Sequence, residues 1–565
     1  MKKALYLILT VILLSSMLSS IVLADSSTTS EAKDKIMNNA RFYSNIVASE
    51  VKFIQNLMMS NGAIPKNFAA VDNNFVAKDL PDIDGIPASV YTTWKVGYVI
   101  PYFSESAVLG ILKVAPDKSK NTVEKFITWY LDSINDATSD AYGVDGTIYD
   151  LYVFQNPTKP EQVVQLPARV VDAYKFTNPK DNNIDYDSTD SYAALLLRIL
   201  SEYYHTYNDA TVFENRKAEV DRVLNALFST YVDKIDLTYA KPSYEVCYLM
   251  DNCEVYNGLL AGAEIYEKVY KDNEKAKELS DYAVKVKDAI EKYMWNEEGQ
   301  YYHSTIFTDG KPAFAMDWNE FYPHATAQLF PIMFGLIEPD SDKAVLLYDK
   351  FNEKFGLKGE AGKDWAALDK GDVYPWSTLA HVAGIVGDYE RLDRFMTYLE
   401  RKYLKTHTNA YYYCGEAGQT LLAVQYMQNP KHIVSIDKEN ITANVGDKIP
   451  LGVTLFPSTA LPGKLNVKIK DSTIAIFDNT TGQINALSSG QTVITLSTNQ
   501  TSDENEFIII LNVTEEGSET SDNESEALKL GGKGGILAAA IIGTLTIIGG
   551  TVGLALYLLK SKKNK

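Results

Sequence analysis

The sequence predicts a multidomain chain: an α/α toroid of about six helical hairpins, then a β-sandwich, then a single C-terminal transmembrane helix. Three observations carry this. Between residues 31 and 430, long aromatic and acidic loops, apolar helices, short polar turns and amphipathic helices follow one another in a repeating order. After Pro430 the hydrophobic period drops to two. Near the end, 535–559 is uncharged and rich in Ile, Leu, Ala and Gly.

The chain begins Met1-Lys2-Lys3, continues with the apolar run Ala4–Leu14, and reaches Val22-Leu23-Ala24. A basic start, a short apolar core and small residues at the break predict a signal peptide over 1–24, with an uncleaved anchor as the alternative. From Glu31 to Met59 an apolar stripe of Ile36, Ala40, Ile46, Val47 and Val51 predicts an amphipathic helix that stops at Asn61-Gly62. Six loops then each lead into an apolar helix. These helices are expected at Glu105–Val114, Asp190–Tyr207, Glu254–Tyr270, His324–Leu336, Thr378–Val386 and Gln419–Met427. The turns APDKSK, NDAT, KDNEK, EPDSDK and GDYE lead to amphipathic partners at Thr122–Ile134, Phe213–Val232, Ala276–Trp295, Ala344–Phe355 and Arg391–Tyr403. Alternating long and short connections place every long loop on one face of a helical array. Closing the hairpins into a ring lines a central well with the apolar helices; an open helical solenoid is the alternative.

Over 431–515, HIVSID, VKIK, AIFD, QTVITLS and EFIIILNV alternate as short strands, with Gly446-Asp447 and Thr481-Gly482 as turns. The series NVGDKIPLGVTLFPSTA, then DSTIAIFDNTTGQINALSSGQTVITLS, resembles a bacterial immunoglobulin-like group 2 (BIG2) domain. That resemblance implies an Ig-like sandwich serving as a spacer or adhesive unit at a cell surface. Asn440, Asn479, Asn499, Asn512 and Asn523 open Asn-x-Ser/Thr sequons, which Thr-rich strands also produce by chance. Residues 516–534 are acidic and Ser/Gly-rich, as expected of a flexible stalk. The run 535–559 is long enough to cross a bilayer of roughly 30 Å. Lys560, Lys562, Lys563 and Lys565 follow it, so 560–565 is expected in the cytoplasm and the body outside the cell.

Composition removes several function classes. A net charge of −19 argues against a nucleic-acid partner, which needs a basic surface. The three cysteines, Cys247, Cys253 and Cys414, make no disulfide scaffold; Cys247 and Cys253 could close a small loop or stay free. Neither CxxC nor HExxH is present, so no metal or cofactor is expected.

The chemistry is expected where the long loops meet the starts of the apolar helices. Asp190, Asp251, Glu254, Glu320 and Glu416 are the catalytic candidates there, with Glu105 and Asp187 nearby. Trp94, Tyr102, Asn252, Tyr256, Trp318, His324, Trp376 and Tyr412 are the substrate-binding candidates. Flat aromatic faces among carboxylates and amides suit sugar rings, which present apolar C–H faces and hydroxyls together. Acidic residues at helix starts are also ordinary caps, and aromatics are ordinary core. Ring symmetry selects among them, because the third and sixth inner helices stand opposite one another and bring Asp251 to face Glu416. A separation near the roughly 6.5–9.5 Å of an inverting glycosidase would let one carboxyl protonate the leaving oxygen and the other activate water. The helix order, DSTDSYAALLLRIL at 187–200 and these two carboxylates loosely resemble the six-hairpin glycosidases. That resemblance implies a glycoside hydrolase whose partner is a polysaccharide or other glycan. Its Asp-x-Asp helix start is only approximated by Asp187-x-x-Asp190. A polysaccharide lyase would need a cationic group among the loops, where few occur. A surface glycan-binding or adhesin-type protein is the non-catalytic reading.

Overall fold

A computed structural model describes residues 41–68, 79–172, 185–356, 365, 374–428, 432–436, 440–451, 453–456, 465–478, 481–498 and 507–515. The expected leader 1–24, stalk 516–534, membrane span 535–559 and basic tail 560–565 lie outside the described residues. Among the described residues no helix is long and apolar enough to cross a membrane. The chain divides into two units. One comprises Met1–Glu439, Gly452–Lys468 and Ile494–Ile509; the other comprises Asn440–Leu451, Ile469–Val493 and Ile510–Lys565.

In the first unit the helices alternate in character as the sequence predicts. The chain-order labels are α1 (41–57), α2 (Pro101–Val114), α3 (Pro116–Asp132), α4 (Thr189–Tyr207), α5 (Lys217–Phe228), α6 (Leu249–Lys268) and α7 (Asn273–Ala289). They continue as α8 (Phe330–Met333), α9 (Asp342–Phe355), α10 (Ser377–Val386), α11 (Tyr389–Leu399) and α12 (Cys414–Gln428). On α3, Val123, Phe126, Ile127 and Tyr130 are buried while Asn121, Lys125 and Thr128 face water, the one-sided stripe of an outer helix. On α4 every residue from Thr189 to Leu197 is buried, which is what an inner helix covered on all sides requires. Short polar residues start the helices by capping their free N–H groups. Ser188, Asp272, Ser341 and Asp388 accept from Ser191 N, Lys275 N, Ala344 N and Arg391 N.

The inner helices close on themselves. Helix α2 packs on α4, α4 on α6, α6 on α8, α8 on α10, α10 on α12, and α12 returns to α2. Helices α3, α5, α7 and α11 cover α2, α4, α6 and α10 from outside. Helix α1 joins the outer layer through Glu50, which is fully buried and accepts from Tyr412 Oη at 2.7 Å and meets His407 Nε2 at 2.7 Å. The toroid is therefore closed, and the solenoid alternative is excluded.

Several boundaries differ from expectation, with consequences for the site; α12 starts at Cys414, five residues before the expected Gln419, which puts Glu416 in its first turn. Helix α2 starts at Pro101 and α6 at Leu249, four or five residues before the expected starts, which places Glu105 and Glu254 one turn down inside the well. The fourth inner helix is not continuous over His324–Leu336. It is a π turn at Phe321–Ala325 and the single turn α8, because Pro323 and Pro331 each remove an N–H from the helical ladder. A three-stranded antiparallel sheet, β1 (Lys95–Val99), β2 (Leu151–Gln155) and β3 (Val163–Pro167), is built from the first two long loops.

The second unit is β-rich. Asn440–Asn444 pairs in parallel with the strand Phe507–Thr514, from Asn440↔Ile510 to Asn444↔Thr514. Leu511 and Val513 are buried while Asn512 and Thr514 are half-buried, the period of two expected from EFIIILNV. Gln483–Ala486 pairs antiparallel with both Lys448–Pro450 and Ala475–Asp478, burying Ala475, Ile484 and Ala486.

Candidate functional site

The six inner elements open at their N-terminal ends onto one cavity of about 360 Å³. Each supplies part of the wall: Tyr102, Phe103 and Ser106 of α2; Asp187, Ser188 and Ser191 at the start of α4; Met250 and Asp251 of α6. Tyr322, Phe330 and Met333 come from the broken fourth element, Tyr374, Trp376 and Thr378 from the fifth, and Tyr413, Gly415, Glu416 and Gln419 from the sixth. The aromatic rings brace one another. Trp376 packs against Phe321 at 5.2 Å and Tyr322 at 5.3 Å between centroids, and Tyr413 against Phe103 at 4.5 Å and Tyr374 at 5.4 Å.

Three carboxyl groups stand on this wall, those of Asp187, Asp251 and Glu416, and the last two have contrasting surroundings. Burial, followed by the charges of Asp190, Glu254 and Asp187, pushes the Asp251 carboxyl well above the usual range. Glu416 is buried, and its Oε2 accepts from Ser377 N at 2.7 Å at the first turn of α10. A backbone N–H at a helix start favours the ionised carboxylate. The Asp251 carboxyl is thus inclined to hold a proton, while Glu416 is anchored by a backbone N–H at the start of α10.

Of the remaining catalytic candidates, none lines this cavity. Asp190 is fully buried behind it, accepting from Ser188 Oγ at 2.6 Å, Thr238 Oγ1 at 2.6 Å and Ser191 N at 2.9 Å, which is a structural setting. Glu254 lies lower in the well and accepts from Tyr102 Oη at 2.7 Å; burial pushes it up to about 8. Glu320 is exposed and turned to His324 Nε2 at 3.8 Å. Glu105 is completely buried, its oxygens without a well-formed hydrogen bond, and burial and the Glu254 charge raise it well above the usual range.

The binding candidates divide likewise. Tyr102 and Trp376 line the cavity. Trp94 instead packs on a satellite core around Tyr91, Phe154 and Leu166. Asn252 is buried one helical step from Asp251 and is consumed by Thr238 N, Thr238 O and Tyr248 O. Tyr256 and Trp318 lie under the ammonium groups of Lys287 and Lys350, which belong to outer helices. His324 is buried and accepts from Asp317 N at 2.8 Å. Tyr412 points away to Glu50, and its neighbour Tyr413 takes the place on the wall. Gln419, Arg198 and His381 were not singled out by sequence. Arg198 carried a usable signal, a lone charge inside the apolar run Ala193–Leu200.

These buried acids make stability depend on pH. Glu254 at about 8, Asp150 at about 7 and Asp190 at about 6 all sit above their unfolded values near 4. The folded state therefore binds more protons than the unfolded one between those limits. The stabilisation these groups retain at pH 4–5 is lost as pH rises through 6 to 8, at about 1.4 kcal/mol per unit of separation. Melting temperature is expected to fall between pH 5 and pH 8.5, and Glu254→Gln should flatten that slope. A flat wild-type profile over this range would rule the account out.

No protein-family model matches the chain, and no curated protein does. Among solved structures it is similar to a wild-type glycosidase, at 11% identity and a TM-score of 0.42, over 69% of this chain and 98% of that one. It is also similar to an alpha-amylase from Clostridium perfringens, at 11% identity and a TM-score of 0.39, over 67% and 97%. A rhamnosidase from Klebsiella oxytoca with rhamnose bound matches at 10% identity and a TM-score of 0.38, over 58% of each chain. Among the described residues no cluster of His, Cys, Asp and Glu could hold a metal ion, and the three cysteines are buried and free.

Proposed function

We propose that the protein is a glycoside hydrolase in which Asp251 is the general acid and Glu416 the general base. The observation that carries this is the shared cavity: two carboxyl groups from opposite members of the ring, in contrasting surroundings, among Tyr102, Phe103, Tyr322, Tyr374, Trp376 and Tyr413. Aromatic faces receive the C–H faces of a sugar, and Ser106, Ser188, Ser191 and Gln419 offer partners to its hydroxyls. Asp251 gives its proton to the glycosidic oxygen as the C–O bond breaks. Glu416 takes a proton from the water that adds to the anomeric carbon, so bond cleavage consumes one water. The BIG2-like module as a spacer, and a membrane anchor holding the toroid outside the cell, complete the proposal.

A panel of polysaccharides assayed for reducing-end release, beside a glycan-binding array, tests it. Release of reducing ends from at least one bound glycan is the expected result. Binding with no release between pH 4 and pH 8 would replace the hydrolase with a surface glycan-binding protein.

A further inference from the structure

Two ring side chains of the last two hairpins sit on backbone that bulky residues avoid. Trp376, immediately before α10 and on the wall of the mouth, has φ +60° and ψ +56°; His407, on the loop that leads to α12, has φ +51°. The left-handed region is costly for a large residue and persists only where its surroundings enforce it.

A run of buried hydrogen bonds joins these two places. Glu50 of α1 is a fully buried acid that the proposed chemistry does not use. One of its oxygens meets His407 Nε2 at 2.7 Å, and the His407 ring stacks on Phe53 of the same helix at 4.4 Å. Its other oxygen accepts from Tyr412 Oη at 2.7 Å. Tyr412 Oη lies 3.1 Å from Thr420 Oγ1, which donates to Ser377 Oγ at 3.0 Å. Tyr412, Thr420 and Ser377 are fully buried, and none of the four residues lines the mouth. Ser377 follows Trp376 in the chain and gives its N–H to Glu416 Oε2 at 2.7 Å. Glu416 and Thr420 are four residues apart on α12 and so share one face of it. That face grips Ser377 twice, once by its backbone and once by its side chain. A buried carboxyl group is costly without its partners, so Glu50 anchors the far end of the run.

We propose that Glu50, Tyr412, Thr420 and Ser377 are positioning residues: they hold the left-handed turn at Trp376 and thereby set the place of the Glu416 carboxyl on the wall. This rests on the reading of Glu416 as the general base and adds how a helix of the outer layer reaches it.

Thr420→Val removes the hydroxyl and keeps the shape, whereas Thr420→Ser keeps the hydroxyl. Crystal structures of both are compared with wild type, beside turnover of a glycan from which the wild type releases reducing ends. In Thr420→Val, Glu416 should leave hydrogen-bond reach of Ser377 N, and kcat should fall roughly 10–100-fold, as for a displaced catalytic group. Thr420→Ser should match wild type in both readouts. Placed in Glu416→Gln, Thr420→Val should cost nothing further, which a general loosening of the fold would not reproduce. If Glu416 and Trp376 keep their places in Thr420→Val, or Thr420→Ser is as slow as Thr420→Val, the proposal is overturned. The structures read position and the assay reads reaction, so the two ideas fail separately. A displaced Glu416 in Thr420→Val, with no turnover even in wild type, would remove the hydrolase and uphold the positioning line. Should Thr420→Val fail to fold, Ser377→Ala breaks the same link and is judged by the same structures.

Discussion

Asp251→Asn and Glu416→Gln are each expected to lower turnover by roughly 10²–10⁴-fold, the usual share of a positioned acid or base. Binding and melting temperature should change little, because both substitutions are isosteric and lie on the cavity wall. The two variants should differ in a way that identifies their roles. A sugar carrying a leaving group acidic enough to depart unprotonated bypasses the acid, so Asp251→Asn should recover most of its rate on it. Glu416→Gln should not, because water still has to be deprotonated. In that variant the new side-chain amide still offers a carbonyl oxygen to Ser377 N, so loss of activity would report the missing charge and not a displaced helix. Wild-type turnover in both variants would remove this pair, leaving Glu254 in the well as the next acid to test.

The order of helix types was legible because burial imposes it: an inner helix such as α4 has no polar face to show, and an outer one such as α3 must have one. That Asp251 and Glu416 come from opposite members of the ring followed from counting hairpins, and both line one cavity. What the pattern does not carry is the direction of adjacent side chains. Asp251 and Asn252 are one step of about 100° apart on α6, so one reaches the cavity and the other is spent on the Thr238 backbone. Tyr412 and Tyr413 precede α12, and consecutive residues there point to opposite sides, one to Glu50 and one into the mouth. Helix starts set these directions, and a shift of four or five residues at α2 and α6 carried Glu105 and Glu254 from the rim to the interior. Trp318 and Tyr256 were misplaced for another reason, since composition cannot tell a ring that faces a sugar from one that faces a lysine.

Gly418→Val is expected to be the most destabilising of the substitutions considered, by at least about 3 kcal/mol. A Cβ on Gly418 would stand 2.2 Å from the carbonyl oxygen of Ser106, and one on Gly110 would stand 2.6 Å from that of Gly418. Helices α2 and α12 therefore meet backbone to backbone, and this seam is where the last inner helix closes on the first. The obstacle is main chain, so no rotamer change relieves it, and the helices must separate. Separation would also spread Ser106 from Gly415, Glu416 and Gln419, which together line one side of the mouth. Gly262→Ala on α6 supplies the contrast: its Cβ would make ordinary 3.4 Å contacts with the side-chain ends of Leu197 and Leu279. There the gain in helix propensity, about 1 kcal/mol, should leave stability unchanged or raised. Denaturant midpoints of Gly418→Ala, Gly418→Val and Gly262→Ala, measured together, separate close approach from propensity. If Gly418→Ala were as stable as Gly262→Ala, the ring would not depend on this seam, and the pairing of Asp251 with Glu416 would lose the closure that sets them opposite.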